Sequence, residues 1–276
     1  MIGIIKGDLR YYYLYKLMDK AIISNKISDF YNLDVLFLPF GGIDNKYIIK
    51  NTNIDLRDLL KINSINTIFV GNANKELELL CKENNIRLYE FLKDDEFIRR
   101  NAKLTAKGLL YLIHEGDSEI YSKKILITGY GNIGFYLAKL LTFYKANFKI
   151  YSSNDMERKY SKLEGYDTID NINENFDIII NTIPAWIKVN YDYLKKTKIY
   201  DLASMPYGFD SIKLNDNKIE YRIMSSIPLK YAAKDAANII FNFFENVFNT
   251  WGSCINMIKY KKVFDIDSFG ILRLEV

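Results

Sequence analysis

The run Lys124–Thr128 (KILIT) is short and apolar, and it passes without a break into Gly129-Tyr130-Gly131-Asn132-Ile133-Gly134. Apolar residues then recur at helical spacing as far as Tyr144. A buried strand, a G-x-G-x-x-G turn and a helix in that order leave few folds open. The first glycine permits the tight bend, the second lets the backbone approach a pyrophosphate, and the third lets helix pack on strand. The unpaired N–H groups of the helix's first turn then face an anion. The motif predicts a parallel α/β domain with a dinucleotide at this turn.

The rest of the chain carries the same alternation. Met1–Lys6 is short and apolar, and a helical stretch follows near Tyr11–Lys20. Asp34–Pro39 and Thr67–Val70 read as buried strands, Lys75–Asn84 as a helix and Arg87–Glu90 as a strand. Ala106–Glu115 is an apolar-periodic helix that leads to the glycine turn. Beyond the turn, Asn147–Tyr151, Asp177–Asn181 and Lys198–Leu202 are further strands, and a last helix covers about Lys230–Phe248. Near-continuous apolar strands alternating with helices indicate parallel sheets covered on both faces. The expected fold is α/β, with two doubly wound, Rossmann-like domains joined by helices and a cleft between them. The boundaries predicted are 1–100 for a flavodoxin- or Rossmann-like domain and 101–120 for a linker helix. Residues 121–228 form the NAD(P)-binding domain, 229–250 a helix returning toward the first domain, and 251–276 a tail with no readable period. Phe241, Phe244 and Phe248 on the last helix fit either a core or a subunit interface.

Bulk properties exclude several classes. Lys and Arg exceed Asp and Glu by only four, with the signs mixed, too mild a balance for a nucleic-acid binder. No run of about 18 apolar residues suggests a membrane span, and the start has no cleavable signal pattern, so the expectation is a cytoplasmic protein. Cys81 and Cys254 lack metal-ligand spacing and read as packed thiols; no metal site is expected. The lone His114, on the linker helix, reads as structural.

The strand after the glycine turn should end in an acidic residue where NAD is bound, to hold the ribose hydroxyls. Here it runs into Ser152-Ser153-Asn154, with no carboxylate before Asp155 and with Arg158 a turn later. These residues suit a 2′-phosphate, so NADP is favoured and NAD left possible. The plainer alternative, ordinary loop residues that accept either cofactor, stays open. Asn181-Thr182-Ile183-Pro184 and Asp201-Leu202-Ala203-Ser204 follow two later strands, where ligands of open α/β sheets bind. They are candidates to line the nicotinamide end of the site, although polar residues after strands are also ordinary loop chemistry.

With these motifs in hand, the chain resembles the A-type subunits of the dipicolinate synthase family over roughly residues 1–248. The resemblance is carried by Gly7-Asp8-Leu9-Arg10, Leu38-Pro39-Phe40-Gly41-Gly42 and the acidic segment Glu90–Asp95. Asn101, Thr105-Ala106 and Gly108 add to it, as do the glycine turn, Ile180–Pro184, Asp201–Ser204, and Pro228, Ala232 and Lys234. The chain departs from the family at Leu104, Lys107, Ser226, Leu229 and Asp235. The resemblance implies an NAD(P)-dependent oxidation of a dihydro- or hydroxytetrahydro-dipicolinate to dipicolinate, in the mother cell of a sporulating bacterium. It also implies the synthase's flavoprotein-like B-type subunit for a partner, and a homo-oligomeric assembly. Other readings are a different amino- or hydroxy-acid dehydrogenase, or a non-catalytic dinucleotide-binding subunit.

A small dicarboxylate substrate calls for cations. Arg10 and Lys107, with Thr105 beside the latter, are the candidate substrate residues; Lys103 and the pair Arg99-Arg100 are weaker candidates. Lys234 matches a family position at the start of the last helix and is the candidate catalytic residue, since a lysine in a dry site can move a proton. An ordinary surface lysine is the alternative.

Overall fold

The computed structural model describes residues 1–116 and 119–249; Cys254 and the tail 251–276 lie outside the described residues. The chain divides into two units. One comprises Met1–Ile98 with the described residues 233–249, and the other comprises Arg99–Ala232.

The first unit contains β1 (Ile2–Ile5), α1 (Leu9–Leu17), β2 (Ala21–Ser24), β3 (Val35–Phe37), α2 (Leu56–Lys61), β4 (Thr67–Val70), α3 (Lys75–Glu83) and β5 (Arg87–Glu90). Its five strands are parallel, in the order β2-β1-β3-β4-β5. Alternate residues of these strands enter two different cores. Ile5, Leu36 and Ile68 pack with α2 and α3, while Ile4, Phe37 and Phe69 pack with Tyr11 and Leu14 of α1. Both faces of the sheet are thereby covered, which is why its strands read as unbroken apolar runs.

The second unit begins within α4 (Asp95–Gly116), a 22-residue helix that starts six residues before the expected linker. It continues with β6 (Lys124–Thr128), α5 (Asn132–Phe143), β7 (Asn147–Tyr151), α6 (Asp155–Leu163), β8 (Thr168–Ile169), β9 (Ile178–Asn181), β10 (Lys198–Asp201), α7 (Ser211–Asp216) and β11 (Glu220–Ile223). Six parallel strands run in the order β11-β10-β9-β6-β7-β8. The chain reverses its direction of travel between β6 and β9, the switch point beside which ligands bind in such sheets. Ile125, Ile127, Ile178 and Ile180 face one core, and Leu126, Ile179 and Ile199 the other.

The last helix, α8 (Ile227–Asn249), starts earlier than its periodicity predicts and is interrupted at Ala232 (φ −151°, ψ 65°). After the break it belongs to the first unit. Ala237, Ile240, Phe241 and Phe244 join the core around Phe37 and Phe69, with Phe244 5.5 Å from both rings. Phe241 and Phe244 are therefore core residues, and the half-buried Phe248 packs on Phe244 at 4.5 Å. Burying two phenylalanines of this kind contributes about 3–6 kcal/mol.

Cys81, on α3, is 2% exposed, and burial pushes its thiol up to about 12. Because the thiolate is the reactive form, Cys81 is expected to escape iodoacetamide at about pH 8 in the native protein. It should be modified fully after denaturation, as peptide mass spectrometry will show. Native-state labelling of the Cys81 peptide would contradict this packing.

Candidate functional site

The glycine turn lies at the carboxyl end of β6, the strand beside the switch point. Gly129 adopts φ +92°, a left-handed conformation that side chains resist, and a Cβ there would meet Thr182 Oγ1 at 2.5 Å. Its N–H donates to Tyr151 O at 2.7 Å, tying the turn to the end of β7. At Gly134 a Cβ would lie 2.1 Å from the carbonyl oxygen of Gly129, so the first turn of the helix lies in backbone contact with the start of the glycine turn. Gly131 differs from both. It is exposed, and among the described residues other than its chain neighbours its Cβ would approach within 4 Å only Glu157 Oε1, at 3.9 Å.

Gly131 is also the N-cap of α5 and has no side chain to accept from the helix. The amides of Asn132 and Ile133 open the first turn, where no intrahelical acceptor exists, and no described residue accepts from them. An open cradle with donor amides and the positive end of a 12-residue helix fits a diphosphate. Tyr130 contributes differently: its ring is buried, and its N–H is taken by Glu157 Oε2 at 2.7 Å.

The loops after β9 and β10 reach the same edge of the sheet. Thr182 sits against the turn, its N–H and Oγ1 both donating to Thr128 O (2.9 and 2.8 Å), and Ile183 flanks Gly129. Pro184 and Ser204 are exposed, and Leu202 and Ala203 half-buried.

Two residues expected to line the site do something else. The side chains of Asn181 and Asp201 are fully buried. Asn181 Oδ1 accepts from Thr128 Oγ1 (2.6 Å) and from Ile183 N–H (3.0 Å), while its Nδ2 donates to Ile183 O (3.1 Å) and Asp201 Oδ1 (2.8 Å). Asp201 also accepts from Ala203 N–H (2.9 Å), Gly208 N–H (3.1 Å) and Tyr221 Oη–H (2.9 Å). Burial, helped by the Asp201 charge, raises the Tyr221 phenol above its ordinary range. With every polar atom engaged, neither side chain has a group left for a cofactor. They lock the β6, β9 and β10 loops together and are positioning residues.

The segment after β7 also departs from expectation. Ser152 is buried; its hydroxyl donates to Glu157 Oε2 (2.7 Å) and accepts from Asn154 N–H (3.0 Å). Asn154 caps α6, accepting from Met156 and Glu157 N–H. Arg158 donates to Ser152 O at 2.7 Å and pairs with Asp155. It lines a separate cavity of about 310 Å³ with Lys162, Thr168 and Asp170, none of them from the glycine turn. Only Ser153 is exposed without a described hydrogen-bond role. The arrangement expected to hold a 2′-phosphate is thus already occupied by the segment's own bonds.

The substrate candidates fall in different units. In the first, Arg10 pairs with Asp8, the N-cap of α1, and lies 4.3 Å over the Phe40 ring. Lys234 is exposed, two residues past the break in α8. In the second, Thr105 is buried and its hydroxyl donates back to Asn101 O (2.8 Å), which removes it as an open donor, while Lys107 is half-buried on α4. Glu157, Tyr221 and Gly208 also belong to the site, although sequence reasoning does not single them out. For Glu157 a signal exists: it is an acid in the first turn of a helix, just past the strand end where a carboxylate is usually sought. A Cβ at Gly208 would meet Asn181 Nδ2 at 2.4 Å.

No family model matches the chain. It is 25% identical over 229 residues to the A-type subunit of dipicolinate synthase from Bacillus subtilis (strain 168), covering 77% of each. The crystal structure of dipicolinate synthase, A chain, from Bacillus subtilis superposes with a TM-score of 0.76 at 23% identity, covering 91% of this chain and 96% of that one. An NAD-complexed D-isomer specific 2-hydroxyacid dehydrogenase from Lactobacillus delbrueckii ssp. bulgaricus shares the fold at a TM-score of 0.54 and 13% identity, covering 91% and 97%. The architecture is that of two Rossmann-like domains found in nicotinamide-dependent dehydrogenases. In sequence and in fold, the chain is similar to the A-type subunit of dipicolinate synthase.

Proposed function

We propose that the chain is an oxidoreductase subunit that binds a nicotinamide dinucleotide at the glycine turn and oxidises a dihydro- or hydroxytetrahydro-dipicolinate to dipicolinate. The observation that carries this reading is the cradle at Gly131, open on its outer side and backed by the unpaired amides of Asn132 and Ile133. The likeness to a dipicolinate synthase supports the choice of substrate. When bound, the cofactor supplies a hydride acceptor.

The protein's own part is to hold and to orient. Gly131, Asn132 and Ile133 would take the diphosphate, and Thr182, Ile183, Leu202, Ala203 and Ser204 would flank the nicotinamide half, their loops held by Asn181 and Asp201. A dihydro substrate gives up one hydride and one proton to become an aromatic pyridine dicarboxylate; a hydroxytetrahydro form must also lose water. Aromatisation makes the step strongly downhill, so positioning dominates the catalytic task. Arg10 and Lys107 are proposed to meet the carboxylates, and Lys234 to take the proton. The relative is named as one of the subunits of its synthase, which supports a partner for this chain, here proposed to be flavoprotein-like. The proposed setting is the mother-cell cytoplasm; no described helix is long and apolar enough to cross a membrane.

The test combines the purified chain, its flavoprotein-like partner, nicotinamide dinucleotide and the dihydrodipicolinate precursor. Dipicolinate, measured by mass spectrometry, is expected to accumulate in step with reduced nucleotide. Nucleotide binding without dipicolinate would overturn this reaction and leave another dehydrogenase reaction or a non-catalytic dinucleotide-binding subunit.

A further inference from the structure

The end of β7 lacks the acid that usually holds the adenosine ribose, yet a carboxylate is present beside the turn. Glu157, in the first turn of α6, reaches back so that Oε2 accepts from Tyr130 N–H and Ser152 Oγ–H, both at 2.7 Å. Those two donors come from the glycine turn and from the residue following β7. They pin the carboxylate between the two segments that enclose the adenosine ribose in folds of this kind. Oε1 stands 3.9 Å from the position of a Gly131 Cβ and accepts no hydrogen bond among the described residues. Nor does any described Lys or Arg pair with Glu157. The nearby Arg158 is engaged by Ser152 O and Asp155.

From this placement we infer that Glu157 is the residue that selects the cofactor: its free oxygen accepts from the ribose diol of NAD(H), and its charge rejects the 2′-phosphate of NADP(H). The inference rests on the dinucleotide reading above and reverses the cofactor preference expected from Ser152, Ser153, Asn154 and Arg158. A 2′-phosphate brings roughly two negative charges to a carboxylate that no described cation neutralises. A diol brings two donors to an oxygen with open lone pairs. The acid comes from a helix rather than from a strand end, so it lies five residues beyond Ser152.

Equilibrium binding of NADH and NADPH to the full-length chain, followed by nucleotide fluorescence, tests the assignment. Wild-type protein is expected to bind NADH at least about tenfold more tightly than NADPH. In Glu157→Gln, which keeps the shape but removes the charge and turns an amide NH2 toward the ribose, the ratio should fall to about one as NADPH binding improves. Glu157→Asp, which keeps the charge, should retain the preference for NADH. Equal or tighter binding of NADPH by wild type, or an unchanged ratio in Glu157→Gln, overturns the inference and leaves the dinucleotide reading standing. Failure of both nucleotides to bind overturns that reading and this inference together.

Discussion

Replacing Gly131 with leucine is expected to remove nicotinamide dinucleotide binding while leaving the protein folded. At φ −73° any residue fits the backbone there, and its Cβ would face open space bounded only by Glu157 Oε1. The loss of stability should be about 1 kcal/mol, the penalty for an apolar residue at a helix N-cap. The leucine side chain would, however, fill the space a diphosphate needs, and affinity should drop at least about a hundredfold. Gly134→Ala provides the contrast. Its new methyl would press on the Gly129 carbonyl from 2.1 Å, backbone against backbone, and neither can yield without unseating α5. That variant should lose about 3 kcal/mol of stability, and any binding defect would follow the lost fold. Urea denaturation and fluorescence titration of the two variants separate a glycine needed for the ligand from one needed for packing. Undiminished binding by Gly131→Leu would remove the turn as the site.

The second large effect is expected at Asp201. Truncation to alanine leaves the buried Gly208 amide, one N–H of the buried Asn181 amide, and the half-buried Ala203 amide and Tyr221 hydroxyl without this acceptor. Each unsatisfied buried donor costs on the order of 1–3 kcal/mol, with partial relief by local relaxation. The net destabilisation should be about 3–5 kcal/mol, measured as a lowered urea midpoint. Tyr221→Phe, which removes one donor and leaves three, should cost only about 1 kcal/mol. If Asp201 instead contacted the cofactor directly, Asp201→Ala would weaken binding with little change in stability.

Much of this architecture is readable from the residues alone. Central strands of sheets covered on both faces must be apolar at nearly every position, so β3, β4, β6, β9 and β10 announce themselves. The strands that the pattern does not reveal, β2, β8 and β11, all lie at or beside sheet edges. β11 (EYRI) is largely exposed and β8 has two residues, so neither carries a hydrophobic period. The site is legible in the same uneven way. A glycine turn is a local property of consecutive residues, and its place after β6 follows from the strand that precedes it.

Burial and reach are not local. Asn181 and Asp201 follow strands as ligand-lining residues do, but the β10–β11 and β6–β9 pairings close over them, and Tyr221 arrives from twenty residues away. Ser152 and Arg158 look available in the sequence and are bonded to Glu157 and to the Ser152 carbonyl in the fold. Consecutive residues thus decided the alternation of strand and helix, the two parallel sheets and the bend at Gly129–Gly134, because these follow from side-chain periodicity and backbone sterics. Which polar groups face the ligand and which hold the loops was decided only when distant segments met. A hydrogen-bonding group has few partners, and packing determines which of them it finds.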